Sequence, residues 1–319
     1  MQTTTTTAHS ARLADLERSI SRVVKGKQEV IRLALTSLLA RGHLLIEDVP
    51  GVGKTTLAQS LANSFHCSFQ RIQFTSDMLP GDVIGVSVFN PVTQDFEFKP
   101  GPIFANIIVA DEINRTTPKT QSALLEAMNE SQITVDNHTH PLPKPFLVLA
   151  TQNPIEHHGT YPLPESQLDR FLMRIRMGYP ARASEKEILR NDSSRATADQ
   201  ITPVMDATDV IAMQDAASRV KVDDSLLDYA LEIVERTRQT EQLSLGVSTR
   251  GAVMLHRAAQ ARALLEGRDY CLPDDFKNLI LPVFAHRVVV SSRYVSTQKK
   301  SEQAETILRE IMDTTRVPL

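Results

Sequence analysis

Leu13, Leu16, Ile20, Val23 and Val24 recur at helical spacing, and Ile31, Leu35, Leu38 and Leu39 repeat the pattern. Residues 12–24 and 30–39 therefore predict two amphipathic helices. The run His43-Leu44-Leu45-Ile46 breaks that rhythm. It is short and apolar, it stops at a Pro/Gly turn, and helical periodicity resumes over residues 57–65. Further short apolar runs fall at residues 69–74, 107–110, 146–150 and, more weakly, 174–177, with a helical stretch at 119–128 among them. Alternating strands and helices predict a parallel sheet covered on both faces. Residues 82–98 and 132–143 place β-branched residues around Asn, Asp and Pro, and predict hairpin excursions. After Pro180 the strand pattern stops. Residues 184–189, 206–219, 225–236, 249–265 and 273–285 predict helices, with Asp and Ser as caps and Pro273 in a first turn. The expected organisation is a disordered tail at residues 1–12, which includes the Thr run 3–7, then an α/β core at 13–185 and an all-α domain at 186–319. The polar residues 191–200 are expected to be a linker or loop.

Composition narrows the partners. The 319 residues suit two domains or one large one, and 41% hydrophobic residues are enough for a substantial core. The 35 basic and 38 acidic side chains give a net charge of −3, and aromatic residues make up only 5% with no Trp. Binding to nucleic acid through overall positive charge is not expected. Cys67 and Cys271 stand far apart, outside any CxxC pattern, so neither a disulfide framework nor a zinc site is predicted and both are expected to be small buried or semi-buried residues. The adjacent His157 and His158 lack Cys or acidic residues at metal-site spacing, and are expected to be solvated. The N-terminal residues lack the apolar core of a signal peptide. The longest apolar stretch, 33–46, is interrupted by Thr36, Ser37, Arg41 and His43, so no membrane span is expected and the location predicted is cytoplasmic.

The chemistry concentrates at strand ends. Pro50-Gly51-Val52-Gly53-Lys54-Thr55-Thr56 follows a short strand and opens a helix, the context of a phosphate-binding loop. Glycines let backbone N–H groups turn onto phosphate oxygens, and the helix N-terminus adds a favourable dipole. Lys54 is expected to reach the β- and γ-phosphates and Thr55 to offer its hydroxyl to Mg²⁺. The usual pattern starts with Gly, where this chain has Asp48. The strand 107–110 ends in Asp111-Glu112. Asp111 is expected to hold Mg²⁺ and Glu112 to orient or deprotonate the attacking water, because adjacent strand residues point apart. A phosphotransferase needs no water-activating Glu, and no Asn-Lys-x-Asp tetrad is present to read guanine, so ATP hydrolysis is preferred. Asn153, at the end of a third apolar strand, can hold the water or the γ-phosphate.

Four stretches together resemble the MoxR family of AAA+ ATPases: Glu47–Thr55, Ala110-Asp111-Glu112-Ile113-Asn114-Arg115, residues 149–156 and residues 161–171. Gly246-Val247-Ser248-Thr249-Arg250, residues 264–270 and Ala285-His286-Arg287 fit as well, so the likeness runs from about Val24 to about Val290. Glu-Asp before the phosphate loop is common in that family. The resemblance implies an AAA+ core with a five-stranded parallel sheet, hairpin insertions before the Walker B and sensor 1 strands, and a C-terminal helical lid. It implies Asn153 as sensor 1, Arg170 as the arginine finger reaching a neighbouring subunit's ATP, and Arg250 as sensor 2 from the lid. Val24 and Gly26 resemble the segment packed near adenine. ATP and Mg²⁺ are the implied cofactors. Homo-oligomerisation is implied, usually as a hexameric ring. So is a chaperone-like role on a protein client, often with a von Willebrand factor A domain partner in metal insertion or complex maturation. A nucleic-acid-stimulated motor is the alternative, since the same AAA+ branch includes the MCM helicases. Balanced charge and few aromatics favour the protein client.

Overall fold

The structure is a computed structural model that describes residues 2–49, 51–153, 159–190, 198–291 and 300–318. Two helices, α1 (Gln2–Val23) and α2 (Gln28–Leu39), lead into β1 (Leu44–Glu47) and α3 (Lys54–Ser64). Then come β2 (Phe69–Gln73), the short α4 (Pro80–Ile84), a hairpin of β3 (Gly85–Asn90) and β4 (Asp95–Pro100), and β5 (Ile107–Asp111). Next are α5 (Pro118–Glu130), a second hairpin of β6 (Gln132–Val135) and β7 (His138–Pro141), β8 (Leu147–Gln152), α6 (Glu165–Leu168) and β9 (Met173–Ile175). The C-terminal part holds α7 (Arg182–Arg190), α8 (Ala207–Ala217), α9 (Asp224–Gln239), β10 (Leu243–Leu245), α10 (Thr249–Leu265), α11 (Pro273–Phe284), β11 (Val289–Val290) and α12 (Lys300–Thr314).

The main sheet has five parallel strands in the order β2-β5-β8-β1-β9. Its inner strands β5, β8 and β1 are buried on both faces, and their alternation divides the core in two, whereas β2 at the edge leaves Gln70, Arg71 and Gln73 exposed. Leu44, Ile46, Ile107, Val109, Leu147 and Leu149 face one hydrophobic cluster, whereas Leu45, Ile108, Ala110, Val148 and Ala150 face the other. The first cluster runs on without a break into Leu255, Phe276, Ile280 and Leu308 of the C-terminal helices, so the lid is docked by apolar packing against the core.

Three expectations are corrected. Helix α1 starts at Gln2, so the Thr run is helical. It contains no Gly or Pro, and helix propagates from the amphipathic turns that follow. Those turns are anchored by Leu13 and Leu16, both buried, and by Arg12, whose two terminal nitrogens each donate to Asp209 at 2.8 Å. The lid is helical but also carries the antiparallel pair β10–β11, where Leu243 pairs with Val290. These segments are too short for periodicity to reveal. The domain boundary expected between residues 185 and 186 falls inside α7. Helix α12 was not foreseen, although Ala304, Ile307 and Leu308 are buried at helical spacing. Both hairpins are present, the first shifted to residues 85–100 because Pro80 starts the short helix α4. Of the polar loop expected at 191–200, only Ala198–Gln200 is described, as a 3-10 turn.

His43 closes one end of the sheet. Its Nδ1 accepts from the Val148 N–H at 3.0 Å and its Nε2 lies 2.9 Å from the Met128 carbonyl oxygen, so the neutral Nε2–H tautomer satisfies both. Burial lowers its pKa from 6.5 to about 4. Between those values the unfolded chain binds more protons than the folded one, so the stability contributed by neutral His43 is fully present above pH 6.5. It is lost as pH falls toward 4, with a total effect of about 3 kcal/mol. His286, buried and likewise pushed below its ordinary value, acts in the same direction. Urea midpoints measured from pH 7.5 to 5 are expected to fall for the wild type and to fall less for His43→Gln, whose amide keeps one donor and one acceptor. Equal slopes would rule out His43 as a source of acid sensitivity.

Candidate nucleotide site

Past the end of β1, Gly51, Gly53 and the first turn of α3 form one wall of a cavity of about 420 Å³. Gly51 and Gly53 have φ of +84° and +96°, backbone that side chains disfavour. A Cβ at Gly51 would meet nothing within 4 Å, so the loop is open toward the cavity. Gly51, Gly53, Lys54, Thr55 and Thr56 line it, facing Asp111, Glu112 and Asn153 from the ends of β5 and β8. The sheet order makes this possible, because β8 lies between β1 and β5. Val52 points into the core instead, and Pro50 lies outside the described residues, as do residues 154–158, including His157 and His158. Lys54 Nζ donates to the Asp48 carbonyl at 2.9 Å. Burial lowers the Lys54 pKa, while the carboxylates of Asp111, Asp48 and Glu112 pull it up.

Asp48 has a task of its own. Its carboxylate accepts from the Val49 N–H at 2.9 Å and from the Gly178 N–H at 2.5 Å, tying the start of the phosphate loop to the chain leaving β9. A Gly there would leave those donors unmatched.

The acidic pair is held by residues the sequence reading missed. Thr151 Oγ1 donates to Asp111 Oδ1 at 2.5 Å and accepts from the Glu112 N–H at 2.9 Å. This hydroxyl bridges β8 and β5 where Glu112 turns into left-handed backbone at φ +57°, a conformation costing a non-glycine residue about 1–3 kcal/mol. Asp111 also pairs with Arg71 at 2.6 Å. Glu112 Oε2 accepts from Gln73 Nε2 at 2.9 Å and from Arg115 Nη1 at 3.1 Å. Arg71 and Gln73 sit two apart on β2, and Gln73 is register partner to Asp111. Only their alternation could have marked them, and nothing local says that β2 lies beside β5.

A triphosphate with Mg²⁺ fits this donor set: open backbone N–H groups, an ammonium, a hydroxyl and a carboxylate converge on one space. Among the described residues no group of three or more His, Cys, Asp or Glu could by itself hold a metal ion. The metal would therefore rely on Thr55, Asp111, phosphate oxygens and water.

Four other predicted residues are not brought to this cavity. Val24 and Gly26 line a separate groove of about 590 Å³ with Arg22, Lys25 and Lys27. Gly26 is needed where it stands: its φ is +68°, and a Cβ would come within 2.5 Å of Ser184 Oγ. Lys27 Nζ donates to the carbonyls of Met177 and Tyr179 at 2.5 and 2.7 Å, so groove and phosphate loop meet at residues 177–179. The two arginines lie at the far edge of the sheet. All strands run parallel, and the phosphate loop follows the last residue of β1. Arg170 precedes β9, whose Met173 pairs with Leu44, the first residue of β1. The Leu172 N–H donates to the His43 carbonyl at 2.8 Å, which places this segment at the N-terminal edge. A strand of this length separates the edges by about 13 Å. Arg250 donates to Asn129 Oδ1, next to the Met128 whose carbonyl meets His43, and so stands at the same edge. Neither guanidinium lines the phosphate cavity of its own chain. Cys67 is half-buried and Cys271 buried, and burial raises both thiols, to about 11 and about 12. Among the described residues no helix is long and apolar enough to cross a membrane.

Comparison with known proteins agrees with this geometry. A family model for the ATPase family associated with various cellular activities (AAA) matches residues 43–173, and one for the AAA lid domain matches residues 235–311. The chain is 51% identical over 300 residues to the uncharacterized protein YeaC of Bacillus subtilis, covering 94% of this chain and 93% of that one. It is 38% identical over 321 residues to chaperone MoxR1 of Mycobacterium tuberculosis, covering 97% and 84% respectively. A crystal structure from Cytophaga hutchinsonii superposes with a TM-score of 0.88 at 36% identity, over 98% of this chain and 97% of that one. With the phosphate loop, the acidic strand end and the helical lid all in place, the chain belongs to the MoxR family of AAA+ ATPases.

Proposed function

We propose that this chain hydrolyses ATP to ADP and phosphate in a closed ring of identical subunits, and uses the cycle to remodel a protein client. The observation that carries the catalytic part is the single cavity joining Lys54 and Thr55 to Asp111, Glu112 and Asn153. Lys54 would exchange its bond to the Asp48 carbonyl for the β- and γ-phosphates. Thr55 and Asp111 would hold Mg²⁺, which neutralises phosphate charge when bound. Glu112 would take the proton of the attacking water, and Asn153 would orient that water or the γ-phosphate. The adenine would extend past residues 177–179 toward Val24 and Gly26.

The ring part rests on Arg170 and Arg250 lying at the edge opposite the phosphate loop. From there both would serve a neighbour's nucleotide, so that Arg250, expected as sensor 2 from the lid, would complete a site in trans, as Arg170 would. An interface that joins one edge to the other is head-to-tail, which closes into rings when the rotation permits. A hexamer is the ring size proposed, on the family resemblance. Phosphate release with Mg²⁺ and ATP, measured across protein concentration, tests both parts. Turnover per subunit should rise with concentration and then level off. Flat turnover from a monomer would end the ring reading.

The client reading draws on the relative named chaperone MoxR1 and on a surface. Phe89 and Phe96 pack edge-on across β3–β4, and both remain largely exposed, while Val92 at the tip is 91% exposed. The second hairpin is tucked in by comparison, with Ile133 buried and His140 stacked on Phe98. The apolar face of the first hairpin, outside the nucleotide cavity, suits an extended or unfolded polypeptide. Val92→Asp should leave basal hydrolysis unchanged and weaken stimulation by a permanently unfolded polypeptide about tenfold. Unaltered stimulation would move the client surface elsewhere. A von Willebrand factor A domain partner and a cytoplasmic location complete the proposal. Stimulation of hydrolysis by DNA would favour the nucleic-acid alternative.

A further inference from the structure

Arg287 follows α11 in the lid, and its side chain is 1% exposed. A guanidinium so enclosed must match all its N–H groups. Nε donates to Asp169 Oδ1 at 2.9 Å. Nη1 donates to the Leu172 carbonyl at 3.3 Å and to the Val283 carbonyl, and lies 2.6 Å from His286 Nε2. Nη2 donates to the Asp169 carbonyl at 3.3 Å, to the Phe171 carbonyl, and to Met254 Sδ at 2.6 Å. Four of these acceptors belong to the segment 169–172, so the lid guanidinium grips the backbone on both sides of Arg170. Phe171 and Leu172 are themselves fully buried, whereas Arg170 is only half-buried and keeps part of its surface in solvent.

The same junction reaches the second arginine. Ser248 caps α10 by accepting from the Gly251 N–H at 3.1 Å, and its hydroxyl lies 3.4 Å from Asp169 Oδ1. Gly251 sits hard against Arg287: a Cβ there would come within 2.9 Å of Arg287 Cδ. Asp169 therefore joins the lid guanidinium to the helix start that carries Arg250.

We propose that Arg287 is a positioning residue: by clamping residues 169–172 and, through Asp169, the start of α10, it presents Arg170 and Arg250 as one rigid unit to the neighbouring subunit's ATP. This rests on the trans-acting reading of the two arginines given above. Its consequence is directional. Any shift of the lid in one subunit moves the arginines offered to the next, so the state of one site is passed around the ring. Arg287 itself touches no nucleotide.

The test sorts variants by which half of a shared site they damage. Lys54→Ala cannot hold ATP but offers intact arginines, and Arg170→Ala holds ATP but offers a defective edge. Mixed one to one, they rebuild intact sites at about a quarter of the interfaces. Arg287→Lys keeps the charge and loses the planar fork. It should bind ATP with wild-type affinity and hydrolyse it ~10²-fold more slowly, the scale set by a misplaced catalytic group. Mixed with Lys54→Ala it should recover activity, and mixed with Arg170→Ala it should not. Asp169→Asn, which keeps size and one acceptor oxygen, should sort into the same group with a smaller loss, and it carries the test if Arg287→Lys does not fold. A merely structural Arg287 would lower ATP binding or assembly, and neither mixture would recover. Either result, or recovery with Arg170→Ala alone, overturns the proposal. If the control pair Lys54→Ala and Arg170→Ala co-assembles yet recovers nothing, the trans reading fails, and this inference fails with it.

Discussion

Arg170→Ala is expected to bind ATP with unchanged affinity and to hydrolyse it ~10³–10⁵-fold more slowly, the range seen when such arginines are removed from phosphoryl-transfer sites. The unchanged affinity follows from position. Arg170 precedes β9 at the sheet edge opposite the phosphate loop, so its removal leaves Lys54, Thr55 and the loop backbone as they were. The slower chemistry follows from charge. In the proposed ring, a guanidinium aimed at the γ-phosphate would oppose the negative charge that develops as the bond to the leaving oxygen breaks, and an interface that excludes water would strengthen that effect. Folding should be little affected, because the buried anchors Phe171 and Leu172 and the Asp169–Arg287 pair remain. Nucleotide titration and phosphate release on the same sample would measure both quantities. A variant that loses binding and turnover together would place Arg170 in its own subunit's site.

Glu112→Gln is expected to retain ATP and lose hydrolysis by ~10²–10⁴-fold, the contribution of a positioned general base. Gln keeps the length of Glu and an amide oxygen that can accept from Gln73, but it cannot accept a proton. The strained turn should survive, since its support is the Thr151 hydroxyl bound to the Glu112 backbone rather than to its side chain. Lys54→Ala should behave differently. It removes the ammonium proposed to meet the phosphates, so binding should weaken and turnover should be lost with it. The contrast is the informative measurement: near wild-type hydrolysis by Glu112→Gln would show that another group activates the water. The ATP-filled Glu112→Gln protein is also the form in which a client should be captured, because in the proposed cycle release would depend on the chemistry it cannot perform.

The sequence by itself determined the phosphate loop, the acidic strand end, the five apolar strands, both hairpins and most of the helices. Each of these is a property of contiguous residues. A glycine turn between an apolar run and a helix has one reading because φ above zero excludes most side chains, and alternation or helical spacing follows from backbone geometry alone. Sheet order, by contrast, is set by which apolar faces meet across the whole chain. That decided that β8 would stand between β1 and β5, bringing Asn153 and Thr151 to the acidic pair, and that Arg71 and Gln73 of β2 would reach it from the other side. The helix over the Thr run escaped the pattern because it continues from the anchored turns that follow it, and the β10–β11 pair because its segments are too short to show a period. Tertiary structure also decided what the arginines can reach. Residues 169–172 and 285–287 are far apart in the chain, and only the docking of the lid through a continuous apolar cluster lays one guanidinium across the backbone that carries another. Spacing along a chain cannot express such a contact, because the free energy that holds it comes from burial shared between two distant segments.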